Sequence, residues 1–162
     1  MGIIESHVLG DSEQSSGVTY VPVIAEIGIN HNGGMELAKK LISAAKEAGC
    51  DAVKFQKRTI DVLYTPSTLD SPRESPWGST QREQKEALEF DAADYAEIDR
   101  FCSDLGIEWS ASAWDEGSLE FVENFNPTFH KLASAMTTNT AFVRQVARLG
   151  RPTIISTGMT EP

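Results

Sequence analysis

Three helix-to-strand joints are built alike, and they constrain the fold of this chain more than any other feature. Ala48-Gly49-Cys50-Asp51-Ala52-Val53, Leu105-Gly106-Ile107-Glu108-Trp109 and Leu149-Gly150-Arg151-Pro152-Thr153-Ile154 each set a glycine between a helical pattern and a short apolar run. Glycine just past a helix takes the left-handed turn that closes it. An apolar run starting at once reads as a buried strand. A helix passing straight into a strand, repeated along the chain, is the rhythm of a parallel α/β fold.

The first strand is read over Val21–Ile29, a continuous apolar run of the kind covered on both faces in parallel sheets. Glu26 lies inside it, and a carboxylate in a buried strand asks for a partner. Asn30-His31-Asn32-Gly33-Gly34 is a turn, and Met35–Ala48 a helix with Leu37, Leu41, Ala44, Ala45 and Ala48 on one face. Strand two is Ala52–Gln56, where Lys54 and Gln56 share a face by the period of two. Residues 57–80 contain Pro66, Pro72, Pro76 and Trp77-Gly78-Ser79-Thr80, and read as a long irregular connection. Helices are expected over Gln81–Leu88 and, from an N-cap at Asp91, through Leu105. Strands at 107–113, 129–134 and 153–157 and helices at 115–125 and 139–149 complete the series. Residues 1–20 read as a partly flexible N-terminal segment, and 21–162 as one unit.

Each strand ends in polar residues: Glu26 and Asn30, Lys54 and Gln56, Ser112, Lys131 and Ser134, Ser156 and Thr157. Open α/β sheets and (β/α)8 barrels both bind ligands at that edge. No Gly-x-Gly-x-x-Gly follows strand one, which favours a (β/α)8 TIM-type barrel over a dinucleotide-binding sheet. Five βα units are legible, whereas a barrel has eight strands in roughly 250 residues. The chain is therefore expected to be the N-terminal part of a barrel.

Lysines and short hydroxyls converging on one rim describe a phosphate or carboxylate site: Lys54, Lys131, Ser112, Ser134 and Ser156. Glu26 either pairs with a lysine or works on substrate hydroxyls or a proton. Asn30 and His31 serve either the helix-start turn or the substrate, and Gln56 joins them from the Lys54 face. His130, next to Lys131, points the other way. No second His or Cys stands at ligand spacing from His31, so no metal ligand is assigned within the chain. Cys50 and Cys102 read as reduced thiols. The net charge of −10 argues against nucleic acid or an anionic membrane as partner. The polar N-terminus and the lack of a long apolar run point to a cytoplasmic location.

Four segments together resemble the sialic acid (N-acetylneuraminate) synthase family. They are Ala25-Glu26-Ile27-Gly28-Ile29-Asn30-His31-Asn32-Gly33, Ala52-Val53-Lys54-Phe55-Gln56-Lys57, Lys131-Leu132-Ala133-Ser134 and Ile155-Ser156-Thr157-Gly158-Met159. Trp77-Gly78-Ser79-Thr80, Lys85 and Leu88-Glu89-Phe90 resemble the family's loop after strand two. The resemblance implies a barrel that condenses phosphoenolpyruvate with an N-acetylated amino sugar aldehyde to give a sialic or other nonulosonic acid. It implies that Lys54, Ser112, Lys131, Ser134 and Ser156 hold the phosphate and carboxylate, with Glu26 by the sugar. It also implies a divalent metal, Mn2+ or Mg2+, polarising the aldehyde through ligands beyond residue 162, a C-terminal antifreeze-like domain and a homodimer. Ala133-Ser134-Ala135-Met136 departs from the family's Gly-Ser-Gly-acid, and leaves the sugar open among N-acetylmannosamine, its 6-phosphate and deoxy relatives. A Schiff-base aldolase using Lys54 or Lys131, and a truncated non-catalytic chain that only binds a ligand, are the alternatives.

Overall fold

A computed structural model describes residues 20–158, so the expected N-terminal segment, except Tyr20, and Met159 lie outside the described residues. The chain begins with β1 (Ile24–Gly28), α1 (Met35–Glu47) and β2 (Ala52–Lys57). Two short helices, α2 (Ile60–Leu63) and α3 (Pro66–Leu69), lead to a hairpin of β3 (Pro72–Ser75) and β4 (Gly78–Thr80). Then come α4 (Gln81–Ala87), α5 (Ala92–Leu105), β5 (Glu108–Ala113) and α6 (Glu116–Glu123). The last elements are β6 (His130–Leu132), α7 (Thr140–Arg148) and β7 (Thr153–Ile155).

β1, β2 and β5 form a parallel sheet in that order, and β6 and β7 a separate parallel pair. Ser110 Oγ on β5 donates to the Phe129 carbonyl at 2.7 Å and ties the two sheets together. The fold is thus mixed α/β with parallel pairing, and the joints are why: Gly49, Gly106 and Gly150 all have positive φ, at 82°, 63° and 70°.

The main core lies between β1-β2-β5 and the helices α1, α5 and α6. Tyr95 stands at its centre, with ring contacts to Phe55, Phe90, Trp109, Phe121 and Phe125. α5 starts where the sequence places it. Asp91 accepts from the Ala93 and Asp94 amides, and Asp94 accepts in return from the Asp91 amide at 3.0 Å. Cys102 on this helix is buried, and first burial and then the Asp99 charge push its thiol up to about 12, so it is an inert packing group. Among the described residues no helix is long and apolar enough to cross a membrane.

Three expectations need correction. First, residues 57–80 are mostly regular. Thr65 caps α3, accepting from the Thr68 amide, and Pro66 takes the first helical position, where its missing N–H costs nothing. Pro72 opens β3, which pairs on one side only and so tolerates it. Second, α1 is rotated one position from the expected face. Ala38, Ile42 and Ala45 are buried and Leu37 is exposed, because the two alanines let the helix sit close with Ile42 filling the gap. Third, β1 is not covered on both faces. It is an edge strand here, Val21 and Val23 are exposed, and so is Glu26. Asp51 pins the approach to β1, accepting from the Val23 amide at 2.6 Å and from the Tyr20 hydroxyl.

Asp115 links this frame to the rim. Its carboxylate caps α6 through the Ser118 amide (2.8 Å) and hydroxyl (2.7 Å), and holds the Thr59 amide (2.8 Å) and hydroxyl (2.9 Å) past the end of β2. Burial alone would raise its carboxyl. The Ser118 and Thr59 hydrogen bonds outweigh burial and hold it below the usual range. A depressed carboxyl stabilises the fold above its unfolded titration range, and that stability disappears as pH falls through its folded one. Asp115→Ala is expected to cost about 2 kcal/mol at neutral pH, with the gap to wild type closing in acid. Urea unfolding at neutral and acid pH checks this; an unchanged gap removes the assignment.

Candidate active site

Within each of the two parallel sheets the strands present their carboxyl ends on one side, and the charges of Lys54 and Glu26 felt at Lys131 bring polar tips of the two sheets to one rim. Register sets the first cluster: Lys54 on β2 lies opposite Glu26 on β1 and Ser110 on β5. The Lys54 ammonium is 3.0 Å from Glu26 Oε2, and donates to Ser112 Oγ and the Phe55 carbonyl, each at 3.3 Å. Lys54 is only 5% exposed, whereas the Glu26 side chain is 63% exposed. Glu26 therefore pairs with a lysine, as one reading of the sequence held, but it is not buried. Its carboxylate stands at the mouth with its second oxygen free for solvent or ligand.

The second cluster comes from the other sheet. Lys131 Nζ donates to Ser156 Oγ at 2.6 Å and to the Leu132 carbonyl at 3.1 Å. Its ammonium is held below the usual lysine range, first by burial and then by the positive charge of Lys54, with Glu26 acting in the opposite sense. Lys131 thus feels the charges of both Lys54 and Glu26 across the gap between the sheets. Two ammonium groups and one carboxylate leave a net positive rim in a strongly acidic chain, which is the field a small dianion seeks.

The remaining candidates separate. Ser134 opens a 3-10 turn after β6 and is half-buried, with its carbonyl taken by the Thr137 hydroxyl at 2.7 Å. Asn30 is exposed and reaches back to the Glu26 carbonyl at 3.4 Å. Gln56, with its amide turned so that the oxygen accepts, lies 3.1 and 3.2 Å from Arg58 Nε and Nη1.

His31 is a correction to its place among the substrate residues. It is 2% exposed, stacks on Phe90 with ring centroids 3.9 Å apart, and accepts from the Gly33 amide at 3.1 Å. Burial pushes its ring down to about 4, so it is neutral near pH 7. It braces the turn after β1 and has no open face toward the rim. His130 faces away from Lys131, its Nε2 3.0 Å from Glu123 Oε1, which also takes Arg151 Nε at 2.8 Å. Among the described residues no three His, Cys, Asp or Glu side chains group to hold a metal ion.

Two features escaped the sequence reading. Ser110 shares the Ser112 face at a spacing of two, so alternation alone could have found it. Lys57 and Arg58 both converge on Glu89, with Lys57 Nζ 3.8 Å from Oε2 and Arg58 Nε 2.7 Å from Oε1, a long-range meeting with no local signal.

Comparison with known proteins sets this geometry in context. N-acetylneuraminate-9-phosphate synthase of Drosophila melanogaster is 42% identical over 154 residues, 94% of this chain and 41% of that protein. The enzyme of the same name from Homo sapiens is 40% identical over 139 residues, 85% of this chain and 39% of its own length. N,N'-diacetyllegionaminic acid synthase of Legionella pneumophila is 39% identical over 140 residues, covering 85% of this chain and 39% of that protein. The chain thus spans about two-fifths of the curated relatives it matches. Among solved structures, N-acetylneuraminic acid synthetase of Leptospira borgpetersenii, in complex with citrate, superimposes with a TM-score of 0.75 at 20% identity. That match covers 92% of this chain and 50% of the other, and it speaks for the fold alone. A spore coat polysaccharide biosynthesis protein of Bacillus subtilis gives a TM-score of 0.63 at 31% identity, over 85% of this chain and 36% of its own. The profile of the NeuB family matches residues 41–162, from the middle of α1 through every strand tip after β1, and the chain belongs to that family.

Proposed function

We propose that this chain is the first part of a (β/α)8 synthase barrel that condenses phosphoenolpyruvate with an N-acetylated amino sugar to form a nonulosonic acid. The observation that carries the reading is the Lys54–Lys131 rim: two ammonium groups, the second within the field of the first, each with a serine hydroxyl within 3.3 Å. Phosphoenolpyruvate carries a phosphate and a carboxylate, and such a rim offsets both. The barrel reading is supported by five parallel strands alternating with helices and by the fold shared with the Leptospira structure.

On this reading the enol carbon attacks the sugar aldehyde, water adds to the resulting cationic carbon, and phosphate leaves by C–O cleavage. Lys54 and Lys131 hold the enol ester with Ser112, Ser134 and Ser156. Glu26, open on one side, faces the sugar hydroxyls or a transferred proton. The metal implied by the family resemblance finds no fitting ligand group among the described residues, so no step is routed through one. Homodimer formation belongs to the same proposal.

The test is oxygen bookkeeping. With heavy oxygen in the bridging C–O–P position, the natively expressed protein given N-acetylmannosamine or its 6-phosphate and Mn2+ or Mg2+ is expected to put the label in released phosphate. Label kept in the sugar acid overturns the reading. A Schiff-base aldolase is the second reading, because Lys131 is depressed as an imine-forming lysine must be. Borohydride with pyruvate then leaves an adduct on Lys131, whereas the synthase reading expects none.

A further inference from the structure

We propose that Arg151 is a positioning residue for the anion site, setting where β6 delivers Lys131 against Ser156 from the opposite end of the two strands. The inference rests on the reading of Lys131 and Ser156 as phosphoenolpyruvate ligands, and adds a residue that acts through them without touching the ligand.

The Lys131–Ser156 contact joins two strands of three residues each. Among the described strands, β6 and β7 pair only with each other. The amides of His130 and Ser156 donate to the carbonyls of Pro152 and Leu132 at 2.8 and 3.1 Å. Apolar packing holds the pair down: Leu132 lies with Leu119, Phe142 and Val146, and Ile154 packs on Ala52 and Phe129. Such packing has no direction and does not by itself fix a short strand along its own axis. A slide of about 1 Å is enough to spoil a contact such as the 2.6 Å one from Lys131 Nζ to Ser156 Oγ.

Arg151 fixes that coordinate. It stands just ahead of β7, and all three guanidinium nitrogens donate: Nε to Glu123 Oε1 at 2.8 Å, Nη1 to the Pro127 carbonyl at 2.9 Å and Nη2 to Asn126 Oδ1 at 2.9 Å. Glu123 ends α6, and Asn126 and Pro127 lead from it into β6. One planar, rigid group thus ties the entry of β7 to the entry of β6 and to the helix before it. Asn126 has a φ of 51°, the left-handed region in which asparagine is one of the few tolerated side chains, and from there it turns its amide oxygen to Arg151.

Lys131 reports its own place, because burial and then the Lys54 charge hold its ammonium down. Arg151→Lys keeps the charge and loses the fork, so any effect on Lys131 is one of position. With isotope-labelled lysine, and the Lys131 signal assigned by its loss in Lys131→Arg, nuclear magnetic resonance is expected to show the Lys131 titration rising toward the ordinary lysine range in Arg151→Lys. Arg82→Lys, the same exchange in a pair with Asp61 and Glu86, is expected to leave it unchanged. Calorimetry with phosphoenolpyruvate reads the consequence. Arg151→Lys is expected to bind about tenfold more weakly. In a Ser156→Ala background the same exchange is expected to change little, because the contact that it positions is already gone. Asn126→Gly keeps the turn, removes one arm of the clamp and is expected to act in the same direction by about threefold. It decides the matter if a urea melt shows Arg151→Lys unfolded. An unmoved Lys131 titration overturns the proposal, as does an equal shift in Arg82→Lys or a loss of affinity undiminished by Ser156→Ala. Two outcomes keep the readings apart. If wild type binds phosphoenolpyruvate and Lys131 ignores Arg151→Lys, the positioning role fails and the synthase stands. If wild type does not bind it and Lys131 responds, the ligand reading fails and the positioning of Lys131 stands.

Discussion

Lys54→Met is expected to weaken phosphoenolpyruvate binding about 100-fold while leaving the fold within about 1 kcal/mol of wild type. The two halves of this result have separate causes. A charge-assisted contact to a phosphate or carboxylate in a sheltered site contributes roughly 3 kcal/mol, and the Lys131 ammonium that remains is already half-buried and held by Ser156. It cannot reach across to replace the lost group. Stability is another matter. Lys54 is buried, and keeping an ammonium there is unfavourable except for its partners, Glu26, Ser112 and the Phe55 carbonyl. Methionine fills much the same space without that penalty. Glu26, left alone, is largely exposed and simply rehydrates, unlike a truly buried partner. Calorimetry with phosphoenolpyruvate and a urea titration on the same variant check both halves. Wild-type affinity would show that Lys54 does not hold the ligand. Loss of the folded state would make Lys54–Glu26 a structural pair and remove the variant's meaning for binding.

The contrast between Lys54 and Glu26 also shows where sequence stops informing. The glycine joints and the capping box at Asp91 depend on neighbours a few residues away, and both stand in the structure as the sequence implies. Strand alternation likewise puts Lys54 and Gln56 on one face and sends His130 away from Lys131 toward Glu123. Exposure of Glu26 depends on what lies beside β1, and no local pattern encodes that. His31 looks like a rim residue until Phe90, from a distant turn, stacks on it. Residues 57–80 are a different failure. Their prolines read as breaks, yet Thr65-Pro66 is a helix start and Pro72 an edge-strand start, so the signal is local but proline marks a start as readily as a stop. Arg58 was the most hidden, because only the fold reveals that its partner Glu89 is shared and that Nη2 is dry.

Tyr95→Ala is expected to unfold a large fraction of the protein at room temperature, whereas Tyr95→Phe keeps the fold. Tyr95 is 1% exposed and packs its ring 5.2 Å from Phe121 and 5.7 Å from Trp109, centroid to centroid. Deleting such a ring costs about 3–5 kcal/mol, from lost burial and from the cavity left behind. A domain of ordinary stability has about 5–15 kcal/mol in all, and one with an open edge strand falls at the low end. Removing only the hydroxyl takes away its hydrogen bond to the Gln56 carbonyl, 3.0 Å away, at a cost of about 1 kcal/mol. Burial holds the phenol far above the ordinary tyrosine range, so it stays protonated and donates at every pH where the fold survives. Urea melts followed by tryptophan fluorescence, to which Trp109 in this cluster contributes, check both variants. A Tyr95→Ala midpoint close to wild type would show that the aromatic cluster does not hold α5 against β2 and β5. The Phe variant then asks a question about the site. Gln56 carries Arg58 on its side chain and Tyr95 on its carbonyl, so loosening β2 at that point reaches the Arg58 corner before it reaches Lys54, which Glu26 and Ser112 hold independently. Tyr95→Phe should therefore disturb the Arg58–Gln56 contact while leaving the Lys54 cluster in place, and a variant that loses phosphoenolpyruvate binding would place the coupling in the whole sheet rather than in Gln56.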